Sequence, residues 1–238
     1  MRRSYGLHEE GDIMGKIVCL AGVKKVFYSG NRAFTALGNV NLEIEEGDFV
    51  SIVGPSGSGK STLVQILSGL ELPTEGSVEI AGVRLETLSR HESLEWRRDN
   101  IALVSKEGQL ISSLTVLQNV ILPIIFSKKF KDIDSIERGL ECLEFVGFSE
   151  IANKFPSDLD EEEKRATSLA RSIANGPVLL VGDEPEGNLS FQSSEKIFSI
   201  LEKINQAGTT VVFVTHNTHF AIRSKRIVTL LDGNILRR

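Results

Sequence analysis

The sequence predicts an α/β fold with an antiparallel β subdomain at its start and a block of helices inserted in its middle. Three observations carry this. Strand-length apolar runs alternate with stretches of helical spacing, the pattern of a sheet covered by helices. From about residue 115 to 175 the spacing is almost wholly helical. Buried-type strand runs, Val178–Val181 and Thr210–Val214, then resume.

Taken in order, residues 1–13 are polar and expected to form a loose N-terminal tail or an over-long start, with Met14 opening the first strand. Residues 14–238 then form a single domain. Lys16–Leu20, Asn41–Ile44 and Phe49–Val53 read as strands joined by short turns into an antiparallel opening. A helix follows from about Ser61 to Gly69, then strands Thr74–Ile80 and Asn100–Val104. Helices over Thr115–Ile125, Ile133–Val146 and Glu161–Asn175 make a helical subdomain of about residues 106–175. A helix over Ser193–Asn205, ended by Gly208, lies between the two buried strands. Arg226–Leu231 and Asn234–Leu236, joined by Asp232-Gly233, read as a hairpin.

Composition narrows the function. With 238 residues, 41% of them hydrophobic, the chain can bury a full core. A net charge of −5 argues against nucleic acid as a partner. The short run Lys128, Lys129 and Lys131 reads as a solvated face. Cys19 and Cys142 are far apart and fit reduced thiols. No run approaches the roughly eighteen apolar residues of a membrane span, and the polar start has no apolar signal core. The expectation is a cytoplasmic protein, with other subunits supplying any membrane spans.

Gly54-Pro55-Ser56-Gly57-Ser58-Gly59-Lys60-Ser61 matches the P-loop pattern G-x-x-x-x-G-K-[ST] in full, with a strand before it and a helix after. Its glycines let successive N–H groups curl toward phosphates, and the helix N-terminus adds its dipole. Lys60 is a point charge for the outer phosphates, and the Ser61 hydroxyl is a hard oxygen ligand for Mg²⁺. Downstream, the strand ending in Asp183-Glu184 offers one acid for the Mg²⁺ shell and a second as general base. The strand ending in Thr215-His216 brings a histidine to the same side of a parallel sheet as the P-loop.

These residues resemble one family, the ATP-binding subunits of ABC transporters, from about residue 16 to 235. The likeness runs through Phe27 with Ala36-Leu37 and Val40, the P-loop, Glu184-Pro185 after Asp183, and His216. Thr115-Val116-Leu117-Gln118-Asn119-Val120 followed by Leu122-Pro123 looks like the lipoprotein-release and macrolide-export branch. The resemblance implies a P-loop NTPase core of the RecA-like type, ATP and Mg²⁺ as cofactors, and integral membrane transporter subunits plus a second ATP-binding subunit as partners. It places the chain peripherally at the inner face of the cell membrane. By position, Phe27 would stack on adenine, with Tyr28 as second choice. Gly54 and Ser56, Gly57, Ser58, Gly59, Lys60, Ser61 and Thr62 would cradle the phosphates. Ser61 and Asp183 would hold Mg²⁺, Glu184 would be the base and His216 the γ-phosphate sensor.

Three positions depart from the family pattern. The signature, usually LSGGQ, is Leu159-Asp160-Glu161-Glu162-Glu163 here. Asp160 and Glu163 have the spacing of a helix cap and its N3 acid, so the helix forms while its anion site is filled by its own carboxylates. A carboxylate some ~4–6 Å from γ-phosphate would cost roughly 1–4 kcal/mol at an intermediate dielectric. Lys106 stands where the family places a glutamine that touches Mg²⁺; an ammonium cannot ligate a cation. Ser190 replaces an aspartate at an inter-subunit contact, and Glu186 replaces a small hydroxyl residue. Residues that hold nucleotide within one chain are thus kept, while those that close a dimer are altered.

Three readings follow: an ATPase subunit in an asymmetric pair, an ATP-binding subunit that regulates or scaffolds without turnover, and a soluble P-loop kinase. The helical insertion carries no arginine-rich lid for the kinase, which also leaves the His216 strand unexplained.

Overall fold

In the computed structural model, which describes residues 15–30, 32–130 and 133–236, the chain opens with a long hairpin of β1 (Lys16–Ser29) and β2 (Arg32–Glu45). The tail expected over 1–13, Met14 and Lys131 lie outside the described residues. β3 (Phe49–Val53) leads into α1 (Lys60–Leu67), and β4 (Glu75–Ile80) and β5 (Val83–Arg84) follow. Then come α2 (Arg90–Asn100) and β6 (Ile101–Ser105). The helices α3 (Val116–Phe126), α4 (Ser135–Val146) and α5 (Glu161–Ile173) precede β7 (Leu179–Asp183). The chain closes with α6 (Phe191–Gln206), β8 (Thr210–Val214), α7 (Thr218–Ala221), β9 (Arg226–Leu231) and β10 (Asn234–Ile235).

Two sheets result. One is antiparallel, in the order β2-β1-β4-β5; the other runs β10-β9-β3-β8-β7-β6, parallel except for the terminal β9-β10 hairpin. The antiparallel opening therefore ends at β2. Phe49–Val53, expected to join it, instead pairs in parallel with β8 and β9. The physical reason is burial: Phe49, Val50, Ser51 and Ile52 are all buried, which suits a sheet covered on both faces. The hairpin is also longer than the runs Lys16–Leu20 and Asn41–Ile44. Register shifts between Leu20 and Val26 break the two-residue alternation by which a strand is read. α2 is absent from the sequence reading because it buries none of its residues; the capping box of Ser89 and Glu92 starts it.

Each face of the parallel sheet has its own core. On one side α3–α6 pack over Phe49, Val104, Leu180, Val211 and Phe213, where the Phe198 ring lies 5.2 Å from Phe213 and 5.6 Å from Phe49. On the other side α1 lies between the two sheets, burying Leu63, Val64, Ile66 and Leu67 against Leu37, Val40, Ile52 and Val212. This placement aims the N-terminus of α1 at the edge where β3, β7 and β8 all end. No helix among the described residues is long and apolar enough to cross a membrane.

Candidate active site

The loop between β3 and α1 is held open by glycine geometry. Gly57 and Gly59 have φ of 77° and 99°. A Cβ at Gly59 would lie 2.4 Å from the Ala36 carbonyl, so the hairpin and the loop touch through backbone alone. At Gly57 a side chain would meet nothing, which leaves that part of the cradle free for a ligand. Lys60 Nζ donates to the carbonyls of Gly54 (2.9 Å) and Pro55 (2.7 Å). Burial pushes its ammonium below the usual lysine range, opposed by the charges of Glu184 and Asp183.

A cleft of about 280 Å³ joins these parts. Ser56, Gly57, Gly59, Lys60, Ser61 and Thr62 line it from the loop, and Glu184 and His216 line it from β7 and β8. Glu184 Oε1 sits 3.0 Å from His216 Nε2. Glu184 has a φ of 47°, a left-handed conformation uncommon outside glycine, and its N–H donates to the Val214 carbonyl at 3.0 Å. Asp183 lies one residue deeper. Burial, then the neighbouring Glu184 charge, raises its carboxyl, while Lys106, Lys60 and His216 pull it down. No cluster of three His, Cys, Asp or Glu side chains suited to a metal occurs among the described residues. Ser61 lines the cleft and Asp183 does not; a hydroxyl and a carboxylate are the hard oxygen donors that a divalent cation takes.

Other predicted residues lie elsewhere. Gly54 and Ser58 support the loop from behind: a Cβ at Gly54 would strike the Leu230 carbonyl at 2.1 Å, and the buried Ser58 hydroxyl has no partner. Phe27 does not line the cleft; Phe34, its partner across the hairpin, does. The Lys25 ammonium lies 5.1 Å from the centre of the Phe27 ring. Tyr28 is exposed. Lys106 follows Ser105, which pairs with Asp183 across β6 and β7.

Asp160 caps α5, accepting from Glu163 N–H at 2.8 Å, and Glu163 Oε2 accepts the Asp160 N–H at 3.0 Å. Lysines pair with the acids of this turn: Lys154 with Glu163 (2.8 Å), Lys164 with Glu161 (2.7 Å) and Lys196 with Glu162 (2.7 Å). Ser190 caps α6 by accepting from Ser193 N–H at 3.2 Å.

Sequence reasoning missed Arg165. It is 2% exposed, and its guanidinium donates to the carbonyls of Glu184 (3.4 Å), Pro185 and Gly187 (3.4 Å). Its signal was a cation four residues before Leu169, on the buried stripe of α5.

A phosphate-cradling loop, an acid pair at one strand end and a histidine at the next define a P-loop nucleoside triphosphatase. The ABC transporter family model matches residues 37–187, and the chain belongs to that family as an ATP-binding subunit. It is 42% identical over 227 residues to the ABC transporter ATP-binding protein MJ0796 of Methanocaldococcus jannaschii, covering 93% of this chain and 96% of that one. It is 36% identical to the lipoprotein-releasing system ATP-binding protein LolD of Aquifex aeolicus, over 94% of this chain and 97% of LolD. It is also 36% identical to the macrolide export ATP-binding/permease protein MacB of Bdellovibrio bacteriovorus, of which it spans 33%. The dimeric structure of MJ0796 in a post-hydrolysis state with ADP and Pi matches with a TM-score of 0.85 at 40% identity, over 92% of this chain and 97% of that one.

Proposed function

We propose that residues 14–238 act as one nucleotide-binding domain, with about 106–175 as its helical part, that binds Mg-ATP and hydrolyses it in an asymmetric pair. The observation that carries this is the Glu184–His216 contact of 3.0 Å inside the cleft lined by the P-loop. Bound Mg²⁺ would supply charge neutralisation on the phosphates, with Ser61 and Asp183 as its protein ligands. The N–H groups from Ser56 to Thr62 and the Lys60 ammonium bind the phosphates. Glu184 holds the proton taken from the attacking water. His216 orients Glu184 and faces the γ-phosphate. Phe27 is the proposed partner for adenine, and Phe34, paired with it across the hairpin, lines the cleft.

The asymmetry rests on the capped, acidic start of α5. In a homodimer both nucleotides would meet this turn. Opposite a subunit with a glycine-rich signature, this P-loop would meet a usable anion site, and only one of the two sites would turn over. The partners are then a second ATP-binding subunit and integral membrane subunits at the inner face of the membrane. The groove of about 450 Å³ that includes Leu70, Leu103, Leu122 and Phe126 is the apolar surface suited to the membrane subunit. A non-hydrolysing regulatory role is the second reading, favoured by Lys106 beside Asp183. The test is turnover by the assembled complex. Glu184→Gln should lower it by at least about 10²-fold; unchanged turnover would reject the catalytic reading.

A further inference from the structure

Glu186 is 8% exposed and has no place in the cleft chemistry. Its Oε1 accepts from the Thr215 hydroxyl, and its Oε2 is buried without a partner. The Thr215 oxygen in turn accepts the Asn217 N–H at 2.9 Å. This hydroxyl therefore bridges the two residues that flank His216, and Glu186 anchors the bridge. The Glu186 carbonyl also accepts from Ser194 Oγ at 3.2 Å, which ties the turn to α6. Arg165 grips the same turn through the carbonyls of residues 184, 185 and 187. The Gly187 N–H closes it onto the Glu184 carbonyl at 2.8 Å. One turn thus carries Glu184 and, through Thr215, the loop that carries His216.

We propose that Glu186 is a positioning residue: its bond to Thr215 holds His216 in register with Glu184, while Arg165 fixes the backbone of Glu184. A small hydroxyl at residue 186 would leave less side chain to reach Thr215, so the glutamate is a chain-specific strut. A buried carboxylate oxygen with no partner is unfavourable for folding. Its presence beside Glu184, the proposed base, is accounted for by a task that needs reach and an acceptor. The nearby Arg165 Nε is likewise without a partner, so the two groups are not simply a buried ion pair.

The inference rests on Glu184 and His216 being the catalytic pair, but its test does not depend on turnover. In the full chain labelled at histidine, the His216 Cε1–H shift is recorded with and without Glu184→Gln, in the parent and in three variants. The expected result is that Glu184→Gln moves the His216 signal in the parent. The movement should be lost in Glu186→Ala and in Thr215→Val, and return in Glu186→Gln, whose amide oxygen accepts from Thr215. In the assembled complex Glu186→Ala should lower kcat about tenfold or more with KM unchanged. If the His216 response to Glu184→Gln survives in either Glu186→Ala or Thr215→Val, the positioning role is overturned. Thr215→Val retains the decision should Glu186→Ala fail to fold. A complex without turnover whose His216 response still depends on Glu186 rejects the hydrolytic reading and leaves this one standing.

Discussion

His216 Nε2 lies 3.0 Å from Glu184 Oε1, joining the ends of two neighbouring parallel strands on one wall of the nucleotide cleft. Glu184 sits there in a left-handed backbone conformation, held by its N–H bond to the Val214 carbonyl at 3.0 Å. His216→Ala is expected to lower single-turnover hydrolysis by the assembled complex about 10²-fold. ATP affinity, measured by titration calorimetry, should change by less than about threefold, because the proposed phosphate contacts are those of the P-loop amides and Lys60.

Lys106 places an ammonium near Asp183, the candidate Mg²⁺ ligand, and pulls its carboxyl toward the ionised form. The same positive charge opposes a cation bound there. Lys106→Gln should therefore tighten Mg²⁺ binding to the ATP-loaded protein by about threefold to tenfold, read by competition with Mn²⁺. Weaker binding in the variant would mean that Lys106 assists the site.

The capping box of Asp160 and Glu163 supports α5 and places two carboxylates at its N-terminus. Asp160→Ala should destabilise the protein by about 1 kcal/mol in chemical denaturation. The lysine partners of Glu161, Glu162 and Glu163 reduce the net field of the turn. Repulsion of a facing γ-phosphate should accordingly fall in the lower part of the roughly 1–4 kcal/mol expected from bare charges.

Burial raises the Glu186 carboxyl above the usual range, opposed by the Thr215 hydroxyl and Arg165 and reinforced by Glu184. A raised acid binds more protons folded than unfolded, so its contribution to stability falls as pH rises from the ordinary glutamate value to the raised one. Glu186→Gln should stabilise the protein by on the order of 1–3 kcal/mol at pH 8. The gain should shrink as pH falls toward the ordinary glutamate range. Thermal melts of both proteins across pH check this; a gain that grows at low pH would contradict it.

The P-loop was legible because its chemistry is local: the spacing of Gly54, Gly59, Lys60 and Ser61 is itself the cradle. The placement of Glu184 and His216 at one cleft was legible because they follow buried strands that the parallel sheet aligns; Asp183 ends β7 without lining that cleft. The α5 cap followed from the three-residue offset of Asp160 and Glu163. What escaped was non-local. β3 sits after a short turn, and only burial on both faces shows that it leaves the antiparallel sheet. The Glu186–Thr215 bond and the Arg165 clamp join residues distant in sequence, and no periodic pattern announces them. The bulges in β1 hid most of a strand for the opposite reason, by breaking a pattern that is usually reliable.

Whether this P-loop works opposite a different subunit is decided by isolating the native complex in mild detergent and identifying its subunits by mass spectrometry. The expected result is a second ATPase with a glycine-rich signature, present in equal amount beside membrane subunits. Finding only copies of this chain with the membrane subunits would contradict the asymmetric pair.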